Sequence, residues 1–259
     1  YTKDNIPKEL IEAARFISED KLKKAEPILR DYLKNYPLDV KAMKLLGDIG
    51  VKFRAYKDAG YLFSRVLDLS PEYDEARLSY ANLLYKRQFP FQALEQIQIL
   101  LDKDKDNAQY LTLKAVNLAL ANQHDEALKI FEIIIDDKKI KNNQLHLSYG
   151  HTLRAVGNLE KAIKSYKNAI TTKTGFGEAY WSLANLKTYK FTENDIEDIK
   201  SLLKNEELKI EDYFHLLFAL GKAQEDNKQY EESIAAYVKG NTLKSKQVPW
   251  DSRKFTKEC

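Results

Sequence analysis

The chain has 259 residues and a formal net charge of +3; 44% of its residues are hydrophobic and 31% formally charged, with only nine Gly and six Pro. Few breakers among many charges exclude collagen-like, low-complexity and turn-dense all-β architectures and point to a helix-rich protein. A single cysteine, Cys259, excludes an internal disulfide framework and a Cys-based structural zinc site, and +3 is too weak a charge to argue for nucleic acid.

The opening residues 1–20 are polar and charged, without the apolar stretch of a signal peptide. The longest run lacking Asp, Glu, Lys and Arg is residues 142–153, short of the roughly 20 apolar residues a membrane span needs. These features predict a cytoplasmic chain that contacts neither membrane nor nucleic acid. It begins at Tyr1 and has its only methionine at Met43, which reads as a fragment or a processed product.

From Ala25 onward the sequence repeats. Ala25, Ala59, Ala93, Ala127 and Ala162 are separated by 34, 34, 34 and 35 residues. Twelve positions before each stands a small residue, Ala13, Gly47, Ala81, Ala115 or Gly150. Four positions after each stands a large one, Leu29, Phe63, Ile97, Phe131 or Tyr166, and Pro37 and Pro71 close the first two units. Two antiparallel helices approach to about 8 Å only where side chains are small. A large residue four positions on shares the alanine's face and fills the space between them. Asn122-Gln123 and Gly157-Asn158 are turn residues between paired helices, because Asn and Gly tolerate the left-handed conformation of a helix C-terminus.

This small–Ala–large–Pro spacing, with Leu46-Gly47 and Tyr149-Gly150, resembles the tetratricopeptide repeat (TPR). The resemblance implies an all-α, right-handed superhelical solenoid of antiparallel helix pairs, about seven units long. The units run 6–39, 40–73, 74–107, 108–141, 143–176, 177–213 and 214–247 in a single array over 1–247, with 248–259 a polar tail or linker after Pro249. The sixth unit is degenerate. Its first helix reads as Gly177–Tyr189, but Ile196 stands where alanine belongs, and Phe191–Leu208 reads as one longer amphipathic element. Thr192 and Asp195 resemble a capping box there, and Ile196, Ile199, Leu202 and Leu203 form its apolar stripe. The seventh unit restores the pattern with Leu220-Gly221, Ser233 and Tyr237.

The strings at 179–188, 218–226 and 230–243, followed by Gln247-Val-Pro-Trp-Asp251, resemble the TPR region of bacterial TPR–sulfotransferase proteins over about 177–251. That resemblance implies a C-terminal catalytic domain using 3′-phosphoadenosine 5′-phosphosulfate (PAPS). This chain carries no cofactor site of its own: it has no Gly-x-x-x-x-Gly-Lys run and no parallel α/β segment. His124, His146, His151 and His215 fit no metal motif and read as ordinary surface or groove histidines, and Lys138-Lys139-Ile140-Lys141 reads as a solubilising loop. Catalysis within these residues is not expected.

Binding is. In TPR proteins the first helices line a concave groove for a protein or peptide ligand. Carried onto this sequence, the groove positions are Lys41, Lys44, Asp48 and Lys52 in the second unit. They are Glu75, Leu78, Asn82, Tyr85 and Lys86 in the third and Gln109, Thr112, Val116 and Ala119 in the fourth. Gln144, Leu147, His151 and Arg154 follow in the fifth, Glu178, Trp181, Asn185 and Thr188 in the sixth, and His215, Phe218, Lys222 and Glu225 in the seventh. Asn82 and Asn185 suit a peptide backbone, since an amide both donates and accepts; Tyr85 and Trp181 offer rigid surface. A carboxylate clamp of the co-chaperone type is disfavoured, because Asp48 stands where an Asn is needed and repels a carboxylate by about 1 kcal/mol at 4 Å even in water. Ile234, Tyr237 and Val238 on the last helix would face either a further domain or a second copy. The chain therefore reads as a peptide-binding scaffold: the recruiting region of a sulfotransferase, or a free-standing adaptor.

Overall fold

The computed structural model describes residues 6–137 and 142–247. The Lys138–Lys141 loop, the Pro249 stop and the 248–259 tail lie outside the described residues. Among the described residues, all regular structure is helical. The order is α1 (Lys8–Ser18), α2 (Leu22–Asn35), α3 (Val40–Lys52), α4 (Tyr56–Leu69), α5 (Asp74–Lys86), α6 (Pro90–Lys103) and α7 (Ala108–Leu120). Then come α8 (His124–Glu132), a π-helical turn (Ile133–Asp137), α9 (Asn143–Ala155), α10 (Leu159–Thr172), α11 (Gly177–Ala184), α12 (Glu193–Leu202), α13 (Ile210–Asp226) and α14 (Tyr230–Gln247). The chain forms two compact units, one ending at Ile130 and the other starting at Phe131. No described helix is long and apolar enough to cross a membrane.

The repeated alanines and the large residues after them are the packing centres. Ala25, Ala59, Ala93, Ala127 and Ala162 are fully buried, as are Leu29, Phe63, Ile97, Phe131 and Tyr166. The small residue twelve positions before each alanine answers to the large one where it is a glycine. A Cβ on Gly47 would lie 2.7 Å from the Phe63 ring, and one on Gly150 2.5 Å from the Tyr166 ring. The seventh unit repeats the arrangement, with Gly221 facing the Tyr237 ring at 3.0 Å. In three other units the small residue is alanine, Ala13, Ala81 and Ala115, with Leu29, Ile97 and Phe131 as the large residues.

The turns between paired helices share a geometry that their residue types hide. Asp20, Arg54, Gln88, Asn122 and Lys228 have φ between 55° and 63°, and Gly157 has φ 81°. At each, the following N–H bonds to the carbonyl five residues back: Lys21 to Phe16, Ala55 to Gly50, Phe89 to Leu84, Gln123 to Leu118, Asn158 to Leu153 and Gln229 to Gln224. This closure satisfies carbonyls that a helix end leaves open, and outweighs the 1–2 kcal/mol that a left-handed conformation costs a non-glycine residue (roughly). Side chains cap the opposite ends: Asp39 accepts from the N–H groups of Lys41 and Ala42, Asn107 from Gln109 and Tyr110, Asn142 from Leu145 and Asn158 from Lys161.

The sixth unit departs from its sequence reading. Its first helix stops at Ala184 rather than Tyr189, and its second helix is Glu193–Leu202 rather than the whole of Phe191–Leu208. The cause is packing. After the Asn185 cap the chain turns through Lys187 (φ 59°) and buries Leu186 and Phe191. The capping box of Thr192 with Asp195 is present, and Ile196 and Ile199 are buried. α11 packs on α10 and α13 and makes little contact with α12. Its start is pinned to α13: Asp212 accepts from the Gly177 N–H at 3.1 Å and from Lys173 Nζ at 2.6 Å.

A Cβ on Gly177 would collide with the main-chain carbonyl of Asp212. A backbone atom cannot rotate away as a ring can, so Gly177→Ala is expected to lose about 3 kcal/mol by overpacking. Gly157→Ala, where nothing stands within 4 Å, loses only the backbone penalty of about 1 kcal/mol. Urea denaturation midpoints of the two variants check this order.

Candidate functional site

In the unit ending at Ile130, the groove positions lie on α3, α5 and α7. Lys44 and Asp48 are one turn apart and form an ion pair at 2.8 Å, so neither charge is offered singly to a ligand. Asn82 donates its amide to Leu78 O at 2.9 Å, and Thr112 its hydroxyl to Ala108 O at 2.7 Å. Both residues thus use their donors on their own helices, leaving the Asn82 carbonyl oxygen as an acceptor. Leu78 and Val116 are half-buried and pack on the cluster around Ala81 and Leu84. Lys41 is half-buried, whereas Lys52, Tyr85, Lys86 and Gln109 are exposed. Together α5 and α7 present a mildly apolar strip edged by Lys86 and by the equally exposed Glu75.

In the unit starting at Phe131, burial redistributes the candidates. Phe218 is buried against Trp181 (ring centroids 5.3 Å), Phe214 (6.0 Å) and the backbone of Gly240 on α14, so it is a core residue and not a groove residue. Leu147 is buried as well. Trp181 is half-buried, leaning on α13 rather than on the irregular α12. Asn185 is exposed but sits at the cap of the shortened α11. Lys222 is taken up by Asp226 at 2.6 Å and Glu225 at 3.7 Å, and Asp226 also receives Lys190 at 2.8 Å. Arg154 is exposed.

His151 is bound from below: its Nδ1 lies 2.9 Å from the Tyr166 hydroxyl. Burial, with Arg154 nearby, pushes the imidazole down to about 4, and burial lifts Tyr166 to about 12. At neutral pH the bond therefore joins two uncharged groups. Burial also raises Glu178, helped by Asp212, and lowers His146 and His215. His146 is buried on α9, which corrects its reading as a surface histidine.

Several contributors escaped the sequence reading. Lys244 of α14 lies 5.9 and 5.7 Å from the ring centroids of Phe214 and Phe218, and Lys190 reaches Asp226 from thirty-six residues away. The repeat gives no signal for either, because both partners come from outside its packing positions. No group of three or more His, Cys, Asp or Glu among the described residues could hold a metal ion.

Helix pairs repeating every 34 residues, with first-helix faces left over from packing, define a helical-repeat interaction protein. The chain belongs to the tetratricopeptide repeat family: the model of the cytochrome c-type biogenesis protein H TPR domain matches residues 7–146, more than half of it. A second tetratricopeptide repeat model matches 144–174 and 214–247. Among solved structures, a TPR protein from Parabacteroides merdae is 16% identical with a TM-score of 0.67, covering 96% of this chain and 95% of its own. YrrB, a TPR protein with an unusual peptide-binding site, is 21% identical with a TM-score of 0.55, covering 66% of this chain and 88% of its own. MamA from Desulfovibrio magneticus is 14% identical with a TM-score of 0.58, covering 65% and 97%. At these identities the likeness is one of fold. No curated protein matches the chain.

The His151 shift sets a pH dependence. The folded pKa lies below the unfolded value of about 6.5, so the unfolded chain binds the extra proton between the two. Stability from this group is complete above pH 6.5 and is lost as pH falls toward 4. His151→Gln keeps an acceptor for Tyr166 and is expected to recover about 2 kcal/mol of the acid loss, read as the difference in unfolding free energy between pH 7 and 4.5.

Proposed function

We propose that this chain is a TPR adaptor, a scaffold that binds a protein or peptide segment along its first-helix faces. The observation that supports this most directly is the set of side chains there that packing leaves exposed: Lys52, Glu75, Tyr85, Lys86 and Gln109 in one unit and Gln144, Arg154, Asn185, Thr188 and Glu225 in the other. Repeat architectures use such surfaces for partners, and YrrB, of the same fold, carries a peptide-binding site. Paired charges at Lys44–Asp48 and Lys222–Asp226 narrow the recognising groups to the strip and its charged edge. An acidic or mixed segment with one or two apolar side chains fits that chemistry.

The narrower reading, a recruiting region for a PAPS-dependent sulfotransferase, rests on the 177–251 resemblance alone. Sequencing the native reading frame decides it: a phosphate-binding loop between a strand and a helix downstream supports it, and a reading frame without one removes it.

For the adaptor, the K52E/K86E/R154E variant is expected to lose partner capture at least about tenfold, since each reversal turns an attraction into a repulsion. Its thermal midpoint should stay within a few degrees of the parent, because all three side chains are exposed. Capture from the source extract, quantified against the parent chain, is the measurement. Unchanged capture of every specific partner sinks the assignment of these faces.

A further inference from the structure

The outer stripe of α14, formed by Tyr230, Ile234 and Val238, differs from its counterparts in the other units. The first two of these positions fall where the following first helix packs. Leu22 and Tyr56, the counterparts of Tyr230, pack on clusters that include Ile49 of α3 and Leu83 of α5. A Cβ on Gly60, a counterpart of Ile234, would lie 3.6 Å from the Leu83 side chain, and Leu94 and Ile163 at the same position are half-buried. Tyr230 and Ile234 are instead 60% and 63% exposed. Where other units carry Arg30, Ser64, Gln98 or Lys167, α14 has Val238, 59% exposed. The stripe is thus wider than the repeat requires, and an open apolar patch with a polar rim marks an interaction surface.

Three observations select its occupant. In other units the four residues after the second helix (36–39, 70–73 and 173–176) return the chain toward this stripe, but at the matching residues 244–247 α14 is still helical. The chain is therefore carried a turn past the point where the repeat would lay its next helix. The open face of α1 does not match the stripe either: Lys8, Glu12 and Arg15 are exposed where Ala42, Leu46 and Ile49 are buried. A head-to-tail stack of copies would bury those charges against apolar side chains. The complement lies in α14 itself. Its first turn is acidic (Glu231, Glu232), its last turn basic (Lys244, Lys246), and the apolar stripe begins at one end and runs to mid-helix. A helix with unlike charged ends matches a second copy running the opposite way.

We propose that α14 is a self-association face on which two copies of this chain pair, antiparallel about a two-fold axis between Ile234 and Val238. The stripe of each copy lies on that of the other, and each Glu231 faces toward the other copy's Lys246. One helix pair buries less than the roughly 1,200 Å² of a standard interface, so the dimer is reversible with a micromolar dissociation constant. The surface is on a second helix, separate from the first-helix faces, and does not depend on the adaptor reading.

Sedimentation equilibrium of the full chain from about 1 to about 200 µM tests it. A monomer–dimer equilibrium is expected, weakened about tenfold or more by Ile234→Glu and by Val238→Glu, both at exposed sites and both checked for fold by circular dichroism. Glu231→Lys and Lys246→Glu should each weaken the dimer about threefold, and the two combined in one chain should recover it, because the two-fold axis restores both pairs at once. A parent chain still monomeric at the highest concentration overturns the proposal. So does a dimer unmoved by both stripe variants, or a combined charge variant that does not recover. A monomer whose thermal midpoint falls by several degrees with Ile234→Glu shows the stripe covered within its own chain, and overturns it as well.

Discussion

The structure depends on how closely two antiparallel helices approach within each pair. At that crossing a small residue on the first helix meets a large one on the second, and each sets the allowed size of the other. Gly47 lies under Phe63 and Gly150 under Tyr166, with no room for a Cβ in either place. Burying each such large side chain contributes roughly 2–3 kcal/mol, and a stack of pairs accumulates that gain because each unit covers its neighbour. The left-handed turns follow from the same constraint. A second helix must reverse directly onto the first, and the five-residue hydrogen-bond closure does this even where the turn residue is Arg54 or Lys228.

Packing also decides what remains for recognition. The first-helix faces look richly polar when read as a string, yet many of those groups are already engaged. Asn82, Thr112 and Thr152 bond to carbonyls of their own helices, and Lys44 and Lys222 are neutralised one turn away. What is left is a small set of exposed cations, with Glu75 and a few amides among them, around partly apolar strips. Long-range charge attraction is screened beyond about 8 Å at physiological salt, so these cations act as local contacts and not as a broad field.

The sixth unit shows the limits of the repeat. Without an alanine in its second helix, α11 is short and leans on α13, and Asp212 holds the two helix starts together through Gly177 and Lys173. The unit is therefore a splice between two regular stretches, held by a hydrogen-bonded carboxylate in place of a helix pair. Phe218 is drawn into the core on the far side of that splice, where Trp181 and Gly240 enclose it.

The sequence by itself determined the helical-repeat fold, the period and the packing centres, because a residue wedged between two helices must be small or large whatever surrounds it. The capping box of Thr192 was legible for a similar reason: its partner is three residues away. The candidate site was legible in part. Lys86, Gln109 and Arg154 lie exposed where the repeat register puts them, but Phe218 and Leu147 share that register and are buried. Periodicity assigns a residue to a helix face; it cannot say which neighbouring helix covers that face. The tertiary structure alone decided where α11 ends, which lysines are already paired, and that Tyr230 and Ile234 stay open where Tyr56 and Gly60 are packed. Those outcomes turn on groups brought together from separate helices, and no local spacing encodes them.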